Sequence, residues 1–427
     1  MRERVAITGM SINTPLSDTL DGFVEALLAG RSGLTNWRAF NTDRIYSKVG
    51  ADLSGYDLQA RVREFEGVLD PARYRRLRKL TRSAPWSTKH SMVLAAAAFA
   101  DSGLHDRAPE FIDEMGVVVA GHNLGNLYIE HNRTQFEDEP DFIDGLFALH
   151  ALDTDHAGSV SDLLQARGPA YTVGAACASG NVAMRCAVDE IRYHDAQSVM
   201  LVGAVLQFAP MDLHAMALMG AISFQSFNDE PHRASRPYDA GREGFVPAHG
   251  GGALMLENWD QAIARGARIY AEVVGVESAS DGNHLPQPSA EGQSRAMRKV
   301  LQKSGIAPEQ ISYINAHATS TPLGDVTELD SIRRVFGSHA KNLKLNATKS
   351  MLGHTCWSAP IVETVATVLQ MRAGRLHPSI NIETLDPAVD LDVCAGGAIA
   401  HEPEYVMKNA FGFGGINSVS ILRSHDD

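Results

Sequence analysis

Short runs of β-branched and aliphatic residues alternate along the whole chain with longer alanine-rich stretches, and this alternation limits the possible folds more than any other feature of the sequence. Runs that are apolar throughout are typical of strands buried on both faces, which need helices above and below them. The predicted strands are residues 5–8, 116–120, 170–173, 199–205, 253–256, 270–276, 311–316, 344–346 and 418–422. The predicted helices are residues 20–29, 85–102, 178–192, 293–304, 325–336 and 358–372. The predicted fold class is therefore α/β.

Two segments repeat the same order of strand, tight turn and helix. The first segment, residues 170–192, carries Cys177 in its turn, and the second, residues 344–372, carries His354 in its turn. The repeat indicates two related halves of the chain. If the halves pack against each other in a related way, a cysteine and a histidine meet at one site.

The length of 427 residues suits one large domain or two similar halves. No linker rich in proline, serine or glycine divides the chain. We therefore place the division near residue 260, between an N-terminal half, residues 1–259, that carries the cysteine and a C-terminal half, residues 260–427, that carries the histidines.

Charge and cysteine content exclude several classes of protein. The formal net charge of -13 argues against nucleic acid as a partner, because phosphate binding depends on basic surface. The four cysteines are scattered and form no CxxC pair, so neither a disulfide framework nor a metal site is expected. No stretch approaches the roughly 18 apolar residues of a membrane span, and the first residues do not resemble a signal peptide, so we expect a cytoplasmic protein without membrane contact.

Cys177 follows a predicted strand and precedes a predicted helix, in the segment Tyr-Thr-Val-Gly-Ala-Ala-Cys-Ala-Ser-Gly-Asn. Unpaired N–H groups at the N-terminus of a helix favour the thiolate, which is the nucleophilic form of cysteine. An inert buried cysteine is the competing interpretation. That interpretation suits Cys186, which lies among apolar residues in the middle of the same predicted helix.

Two histidines of the second half lie close after predicted strands. His317 stands in the segment Asn-Ala-His-Ala-Thr-Ser-Thr-Pro-Leu-Gly-Asp, and His354 ends the segment Asn-Ala-Thr-Lys-Ser-Met-Leu-Gly-His. Polar groups at the carboxyl ends of strands usually face a site. A single histidine is more often structural, so the residues alone leave both interpretations open.

A glycine-rich turn precedes the last predicted strand. Its segment Asn-Ala-Phe-Gly-Phe-Gly-Gly-Ile-Asn contains Phe411, Phe413 and Gly414. Glycines let backbone N–H groups approach a reacting oxygen closely. A phosphate-binding loop is the competing interpretation, but the sequence has neither the following Lys-Ser or Lys-Thr pair nor a following helix.

Taken together, the four segments around Cys177, His317, His354 and Phe413 resemble the beta-ketoacyl-acyl carrier protein synthases, or ketosynthases, in order and in spacing. Further resemblance includes Ala-Ser-Arg-Pro-Tyr-Asp-Ala-Gly-Arg-Glu-Gly-Phe-Val-Pro, which begins at Ala234, so nearly the whole chain is covered. The resemblance implies a duplicated thiolase fold with five layers, α-β-α-β-α, and a homodimer.

The resemblance also implies catalytic roles. Cys177 would accept an acyl group from the phosphopantetheine thioester of an acyl carrier protein, and the backbone N–H groups of Cys177 and Phe413 would form an oxyanion hole. His317 and His354, as neutral imidazoles, would donate hydrogen bonds to the carbonyl oxygen of a malonyl thioester, so that loss of carbon dioxide leaves a stabilised enolate. Phe413 would place an apolar surface beside the departing carboxylate.

Supporting roles follow from the same resemblance. Lys349 matches a structural lysine of the family, which would pair with Glu328 and orient the second histidine. Thr319 and Thr321 match positions that hydrogen-bond the pantetheine arm, and Gly414 is assigned to the same substrate-binding set. No bound cofactor and no metal are implied, because the substrates arrive on the phosphopantetheine arm of the carrier.

Residues 61–82 are basic on an otherwise acidic chain, with eight arginines and lysines against three carboxylates. A solvated helical face is one interpretation of this segment. A dock for an acidic carrier protein is the other.

The segment after His354 departs from the family, which usually continues there with small residues. This chain has Thr-Cys-Trp-Ser-Ala-Pro, with Trp357 and Pro360. A repacked helix start is one interpretation, because proline is tolerated in the first turn; a narrowed acyl tunnel is the other. A second thiolase-type cysteine at Cys356 is disfavoured because the rest of the thiolase pattern is missing.

Three functions therefore stay open. The first is condensation in fatty-acid or polyketide biosynthesis, with the acyl group on Cys177. The second is dedicated decarboxylation of malonyl carrier to acetyl carrier, as in freestanding ketosynthase-like proteins of polyketide beta-branching cassettes, although many of those are expected to have serine at the nucleophile position. The third is a noncatalytic partner subunit like the chain-length factors, which lose the nucleophile.

Overall fold

The computed structural model describes residues 3–107 and 112–425. Its strands are β1 (Val5–Asn13), β2 (Thr35–Asn36), β3 (Val49–Gly50), β4 (Gly116–Ala120), β5 (Ala170–Val173), β6 (Ser198–Gly203), β7 (Gly251–Asn258), β8 (Ala271–Ser280), β9 (Ile311–Asn315), β10 (Lys344–Asn346), β11 (Arg375–Leu376), β12 (Ile399–Ala400), β13 (Tyr405–Gly412) and β14 (Ile416–Ser424).

The helices are α1 (Leu20–Leu28), α2 (Leu58–Arg63), α3 (Pro71–Ser83), α4 (Trp86–Asp101), α5 (Asn126–Asp138), α6 (Phe147–His150), α7 (Thr154–Leu164), α8 (Ser179–Tyr193), α9 (Pro210–Leu218), α10 (Trp259–Ala264), α11 (Ala290–Ser304), α12 (Pro322–Phe336), α13 (Lys349–Leu352) and α14 (Ala359–Ala373). Short 3-10 turns cover Leu104–Asp106, Pro140–Phe142, Ala176–Ala178, Pro231–Arg233, Pro308–Gln310, Gly337–Asn342 and Cys356–Ser358. Among the described helices, none is both long and apolar enough to cross a membrane.

Ten strands form one continuous sheet in the order β10-β9-β13-β14-β8-β1-β7-β6-β4-β5. The five strands on either side of the β8–β1 contact have the same arrangement. The five strands of each side are numbered first to fifth along the chain. From the outer edge of the sheet to its centre, both sides then have the order third, second, fourth, fifth, first. The pairs first–fifth and fifth–fourth are antiparallel on both sides, and the pairs fourth–second and second–third are parallel on both sides. The two parts of the sheet therefore share one topology.

Helices cover both parts of the sheet and also separate them. On the outside, α4 and α7 pack against the first five strands. On the other side α11 packs against the last five strands, and α12 packs beside α11 and shares a buried apolar cluster with β9. Between the two parts lie α8 and α14, which contact strands of both. Every residue of α14 from Ala359 to Met371 is buried, as a central layer requires. The predicted five-layered α-β-α-β-α arrangement is confirmed, while the predicted division at residues 259 and 260, which falls at the start of α10, stays a prediction.

The two central helices meet at their N-terminal ends because a glycine lies at the contact. A Cβ atom on Gly180 would lie only 2.8 Å from Cβ of Pro360, so a larger residue would force the helices apart. The 3-10 turns before the two helices consequently contact each other. The first residue of each turn, Ala176 or Cys356, has a positive φ, +46° or +52°. The packing thus joins the two turns that the sequence repeat predicted to meet.

Candidate active site

A cavity of about 280 Å³ opens beside the Cys177 turn and is lined by residues from both parts of the sheet. It brings together six of the predicted site residues, which are Cys177, His317, Thr319, Thr321, His354 and Phe413. Lys349 and Glu328 lie behind the histidines and contact their backbone or charged neighbours. Residues that are nearly 180 positions apart in sequence therefore face a common space.

The thiol of Cys177 is almost inaccessible, with 5% of the residue exposed. Burial raises its pKa to about 11, although the charge of Lys349 and hydrogen bonds from the backbone N–H groups of Phe413 and Cys177 act in the opposite direction. Removal from water outweighs these groups because it penalises the charged form most. Burial thus opposes the effect of the N–H groups at the helix N-terminus and favours the protonated thiol at neutral pH.

The turn between β13 and β14 brings the amide of Phe413 to this thiol. A Cβ atom on Gly412 would lie 2.7 Å from the carbonyl oxygen of Ala175, so glycine is required for the strand to approach the Cys177 turn this closely. Gly414 and Gly415 follow with φ values of +81° and +72°, a conformation that glycine adopts without strain. The backbone N–H groups of Phe413 and Cys177, which lower the pKa of the thiol, are the pair predicted for the oxyanion hole.

Gly414 lies in the same turn, and its predicted role in substrate binding stays a prediction. It does not line the cavity, and a Cβ atom placed on it would meet nothing within 4 Å. The reason is the tight turn, which directs Gly414 away from the cavity while its neighbours Phe413 and Gly415 line it. Gly414 therefore shapes the turn, as its φ of +81° requires.

The hydrogen bonds of His354 define its protonation state. Its Nδ1 accepts a hydrogen bond from the backbone N–H of Cys356 at 3.2 Å, so Nδ1 carries no proton. Burial, with the charges of Lys349 and Lys408, holds the pKa of His354 well below its usual range. The ring is therefore neutral with its proton on Nε2, and Nε2 is buried without a hydrogen-bond partner. It is a free donor.

His317 lies beside His354, with ring centroids 5.5 Å apart and planes at 84°. Burial lowers its pKa well below the ordinary value, and the charges of Lys349 and Lys408 act in the same direction. The backbone of His317 is fixed on both sides: its N–H donates to Glu328 at 2.9 Å, and its carbonyl accepts from Nζ of Lys349 at 2.7 Å. Two neutral imidazoles thus share the cavity.

A buried group of three charges supports the two histidines. Lys349 forms its ion pair with Glu363 on α14, whose second oxygen lies 2.9 Å from Nζ of Lys408. The predicted pairing of Lys349 with Glu328 is therefore wrong. Glu328 instead accepts from the N–H groups of His317 and Ala318 and from Asn409, so its carboxylate holds the backbone of the histidine loop. Burial lowers the pKa of Lys408 to about 8, against the opposing effect of Glu363.

Thr319 and Thr321 stand at the start of α12. Their Oγ1 atoms are 3.0 Å apart, and Oγ1 of Thr321 also accepts the N–H of Gly324 at 3.2 Å, which caps the helix. Both residues line the cavity next to His317. The cavity therefore has hydroxyl groups on one wall and imidazoles and a thiol on another.

Sequence reasoning missed three residues of the site. Phe245 lies with its ring centroid 5.2 Å from that of His354 and 6.3 Å from that of Phe413, and it lines the cavity. Glu363 and Lys408 complete the buried charge group. The signal for Lys408 was a lysine between apolar residues in Tyr-Val-Met-Lys-Asn-Ala-Phe, because a lysine buried in a strand needs a carboxylate partner.

Within residues 3–107 and 112–425, no group of three or more histidine, cysteine or acidic side chains is arranged to hold a metal ion. The repeated five-stranded topology, together with a cysteine at the head of one central helix and a histidine before the other, defines the chain as a protein of the thiolase-fold class.

Comparison with known proteins narrows this class to one family. The beta-ketoacyl synthase N-terminal domain matches residues 2–262, and the beta-ketoacyl synthase C-terminal domain matches residues 270–383. A 3-oxoacyl-[acyl-carrier-protein] synthase 2 of Coxiella burnetii is 34% identical, with 99% of this chain and 98% of the relative covered. The enzyme of the same name from Synechocystis is 33% identical, with 99% of both chains covered.

Solved structures agree with this result. A beta-ketoacyl synthase from Burkholderia phymatum is 31% identical and superposes with a TM-score of 0.86 over 99% of this chain and all of that chain. The ketosynthase of a type II polyketide synthase complex with its acyl-carrier protein is matched at 25% identity and a TM-score of 0.85, with both chains fully covered. The chain belongs to the beta-ketoacyl synthase family.

Proposed function

We propose that the protein is a ketosynthase of fatty-acid or polyketide biosynthesis that decarboxylates malonyl-acyl carrier protein and condenses the enolate with an acyl group on Cys177. One observation carries the proposal: a buried thiol with two amide donors shares a cavity with a neutral imidazole whose Nε2–H has no partner. The names of the relatives, which are synthases acting on acyl carrier protein, support it. The substrates bring their own phosphopantetheine arm, so no bound cofactor is needed.

In the first step Sγ of Cys177 attacks the acyl thioester carbonyl. The N–H groups of Cys177 and Phe413, which lower the pKa of the thiol, would stabilise the negative oxygen that develops. A bond forms between Sγ and the acyl carbon, and the bond from that carbon to the pantetheine sulfur breaks. The thiol proton leaves with the pantetheine thiol.

In the second step malonyl carrier enters and loses carbon dioxide. Nε2–H of His354 and the His317 imidazole donate to the thioester carbonyl oxygen, while the bond between the α carbon and the carboxylate breaks and its electrons form the enolate. Neutral rings suit this role, because a charged ring would attract the carboxylate that has to leave. The aromatic rings of Phe245 and Phe413 line the cavity and favour the uncharged product.

In the third step the α carbon of the enolate attacks the acyl group on Cys177. A carbon–carbon bond forms, the bond to Sγ breaks, and the thiolate takes up a proton from water. The raised pKa of Cys177, about 11, means that this proton uptake is complete at neutral pH. The enzyme returns to the thiol form in which it started.

Dedicated decarboxylation is the second candidate, because Trp357 packs beside the Cys177 turn where the family usually has a small residue. A chain-length-factor-like subunit is less well supported, since Cys177, His317 and His354 all face the cavity.

The discriminating experiment is product analysis after incubation of the protein with malonyl carrier and an acetyl donor. Acetoacetyl carrier is expected from a condensing synthase. Acetyl carrier alone identifies a decarboxylase, and no change in malonyl carrier rejects both proposals.

We propose that α3 is the dock for the acidic carrier. Four of the eight basic residues in 61–82 are paired with carboxylates: Arg61, Arg63, Arg73 and Arg76. The other four, Arg75, Arg78, Lys79 and Arg82, are exposed, and no carboxylate pairs with them among the described residues. Their spacing places them on one face of α3, opposite the buried Tyr74 and Leu77. An unpaired basic stripe on an acidic protein suits an acidic partner.

Reversing the charge of this stripe should weaken binding of the carrier without changing the chemistry. Arg78→Glu combined with Arg82→Glu is expected to raise KM for malonyl carrier by roughly tenfold or more, because two attractive contacts become repulsive. The rate with malonyl-pantetheine should not change. Arg375→Glu with Lys48→Glu on exposed sites elsewhere is the control for net charge. Equal KM values for the two double variants would reject α3 as the dock.

We propose that two copies of the chain form a homodimer through the β5 edge of the sheet. β5 is the terminal strand of the sheet and pairs on one side only, with β4. Exposed apolar side chains lie on the segment between β4 and β5: Phe136, Phe142, Leu146, Leu149 and Leu152. A free edge next to apolar surface favours association with an identical edge.

Light scattering is expected to give twice the 46.1 kDa chain mass; a single-chain mass at micromolar concentration would contradict the dimer. The cytoplasmic location stays a prediction.

A further inference from the structure

Trp357 occupies the second residue of the 3-10 turn that packs against the Cys177 turn. Its indole stacks on the imidazole of His122, with ring centroids 4.4 Å apart and planes at 21°. His122 in turn abuts the backbone before Cys177, since a Cβ atom on Gly174 would lie 3.0 Å from Cδ2 of His122. Two stacked rings thus connect the turn after His354 to the end of β5, and neither ring lines the cavity that holds the histidines.

The indole N–H of Trp357 is buried without a hydrogen-bond partner. A buried unpaired donor costs free energy, which the packing of the large indole ring has to offset. The ring also packs against two separate hydrophobic clusters. One contains the buried side chains of α4, and the other contains Trp37 and Phe208. Its position is therefore fixed from several sides.

We propose that Trp357 and His122 form the end wall of the acyl site and restrict the acyl group on Cys177 to short chains such as acetyl and butyryl. This inference rests on the proposed ketosynthase function. For carbon–carbon bond formation, the acyl group and the malonyl group must be present together. The cavity beside His317 and His354 has to hold the malonyl group and the inner part of the pantetheine arm, so a long acyl chain needs a second space on the other side of Sγ.

The stacked pair lies beside Gly174 and carries the turn that contacts the Cys177 turn, which is where such a space would begin. The rings cannot move aside easily, because the Trp357 turn continues into α14, whose Pro360 packs directly on Gly180. A single methylene group that fits poorly in an apolar site already changes specificity by roughly tenfold or more. Chains of medium length should therefore be excluded strongly.

The test compares acylation of the wild type, Trp357→Gly and Trp357→Phe by acetyl, butyryl, octanoyl and lauroyl carrier. Intact-mass spectrometry follows the acyl adduct over time, and malonyl decarboxylation is measured on the same samples. The wild type is expected to form acetyl-Cys177 at least about tenfold faster than octanoyl-Cys177. Trp357→Gly should speed octanoyl transfer by at least about tenfold and change decarboxylation little. Trp357→Phe keeps an aromatic wall and should behave like the wild type.

His122→Ala provides a second variant if Trp357→Gly does not fold. It removes one ring of the stack at a half-buried position and should also favour octanoyl transfer. Equal rates for acetyl and octanoyl in the wild type would overturn the inference while leaving the proposed function intact, provided that malonyl carrier is decarboxylated. An unchanged chain-length profile in both opened variants would also overturn it. Failure of every variant to form any adduct and to decarboxylate malonyl carrier would reject the proposed function itself.

Discussion

Cys177→Ala is expected to abolish formation of beta-ketoacyl carrier while malonyl carrier is still decarboxylated at the wild-type rate or faster. The acyl group has no other attachment point in the cavity, because Cys177 is the only thiol among the described residues that line it. Decarboxylation depends on hydrogen bonds to the malonyl carbonyl, and those donors are on the other half of the chain. The measurement is separate quantification of acetyl carrier and beta-ketoacyl carrier by mass spectrometry.

His317→Ala and His354→Ala, in contrast to Cys177→Ala, should slow the decarboxylation of malonyl carrier. Each removes a donor to the enolate oxygen, and loss of one such donor typically lowers the rate by about 10² to 10³. His354→Ala should be at least as damaging, because its Nε2–H has no other partner and is already oriented by the Cys356 N–H. His131→Ala, an exposed histidine on α5, is the control. Undiminished decarboxylation by both histidine variants would contradict the mechanism.

Glu363→Gln is expected to destabilise the protein by about 3–5 kcal/mol, the range for breaking a buried ion pair on one side. The carboxylate of Glu363 contacts Lys349 and Lys408, and the side chains of all three residues are at most 2% exposed. Without its charge, both buried ammonium groups lose the carboxylate with which they form ion pairs. Urea unfolding followed by circular dichroism measures the loss.

A double variant separates this explanation from simple packing damage. Adding Lys408→Met to Glu363→Gln removes one of the two unpaired charges and should restore part of the lost stability. Glu404→Gln breaks the exposed pair with Arg423 and is the matched control, with an expected loss of less than about 1 kcal/mol. A loss as small for Glu363→Gln as for Glu404→Gln would show that the buried charges do not depend on each other.

The apolar periodicity predicted most of the central elements. β4, β5 and β10 have the predicted bounds, and the six predicted helices all occur within a few residues of their predicted ends. β13 was missed because Lys408 and Asn409 interrupt its apolar run. Those two residues are fully buried, and the partners that make this possible, Glu363 and Glu328, lie at least 45 positions away in sequence. A single sequence does not reveal such distant pairs.

The sequence predicted which residues form the candidate site better than it predicted their ion pairs and pKa values. Motif order identified the cysteine, the histidines and the turn at Phe413, which all line one cavity. The choice between Glu328 and Glu363 as partner of Lys349 depends on side-chain direction, which motif spacing does not determine. The raised pKa of Cys177 likewise follows from the depth of its burial, which helix position alone does not reveal.

The most direct test of the central claim is to trap the acyl group on the enzyme. The protein is incubated with an acetyl donor, quenched in acid, digested and analysed by peptide mass spectrometry, with Cys177→Ala in parallel. An acetyl adduct on the peptide that contains Cys177, lost when malonyl carrier is added and replaced by acetoacetyl carrier, is the expected result. No adduct on that peptide, or an equal adduct in Cys177→Ala, would contradict the role of Cys177 as the nucleophile.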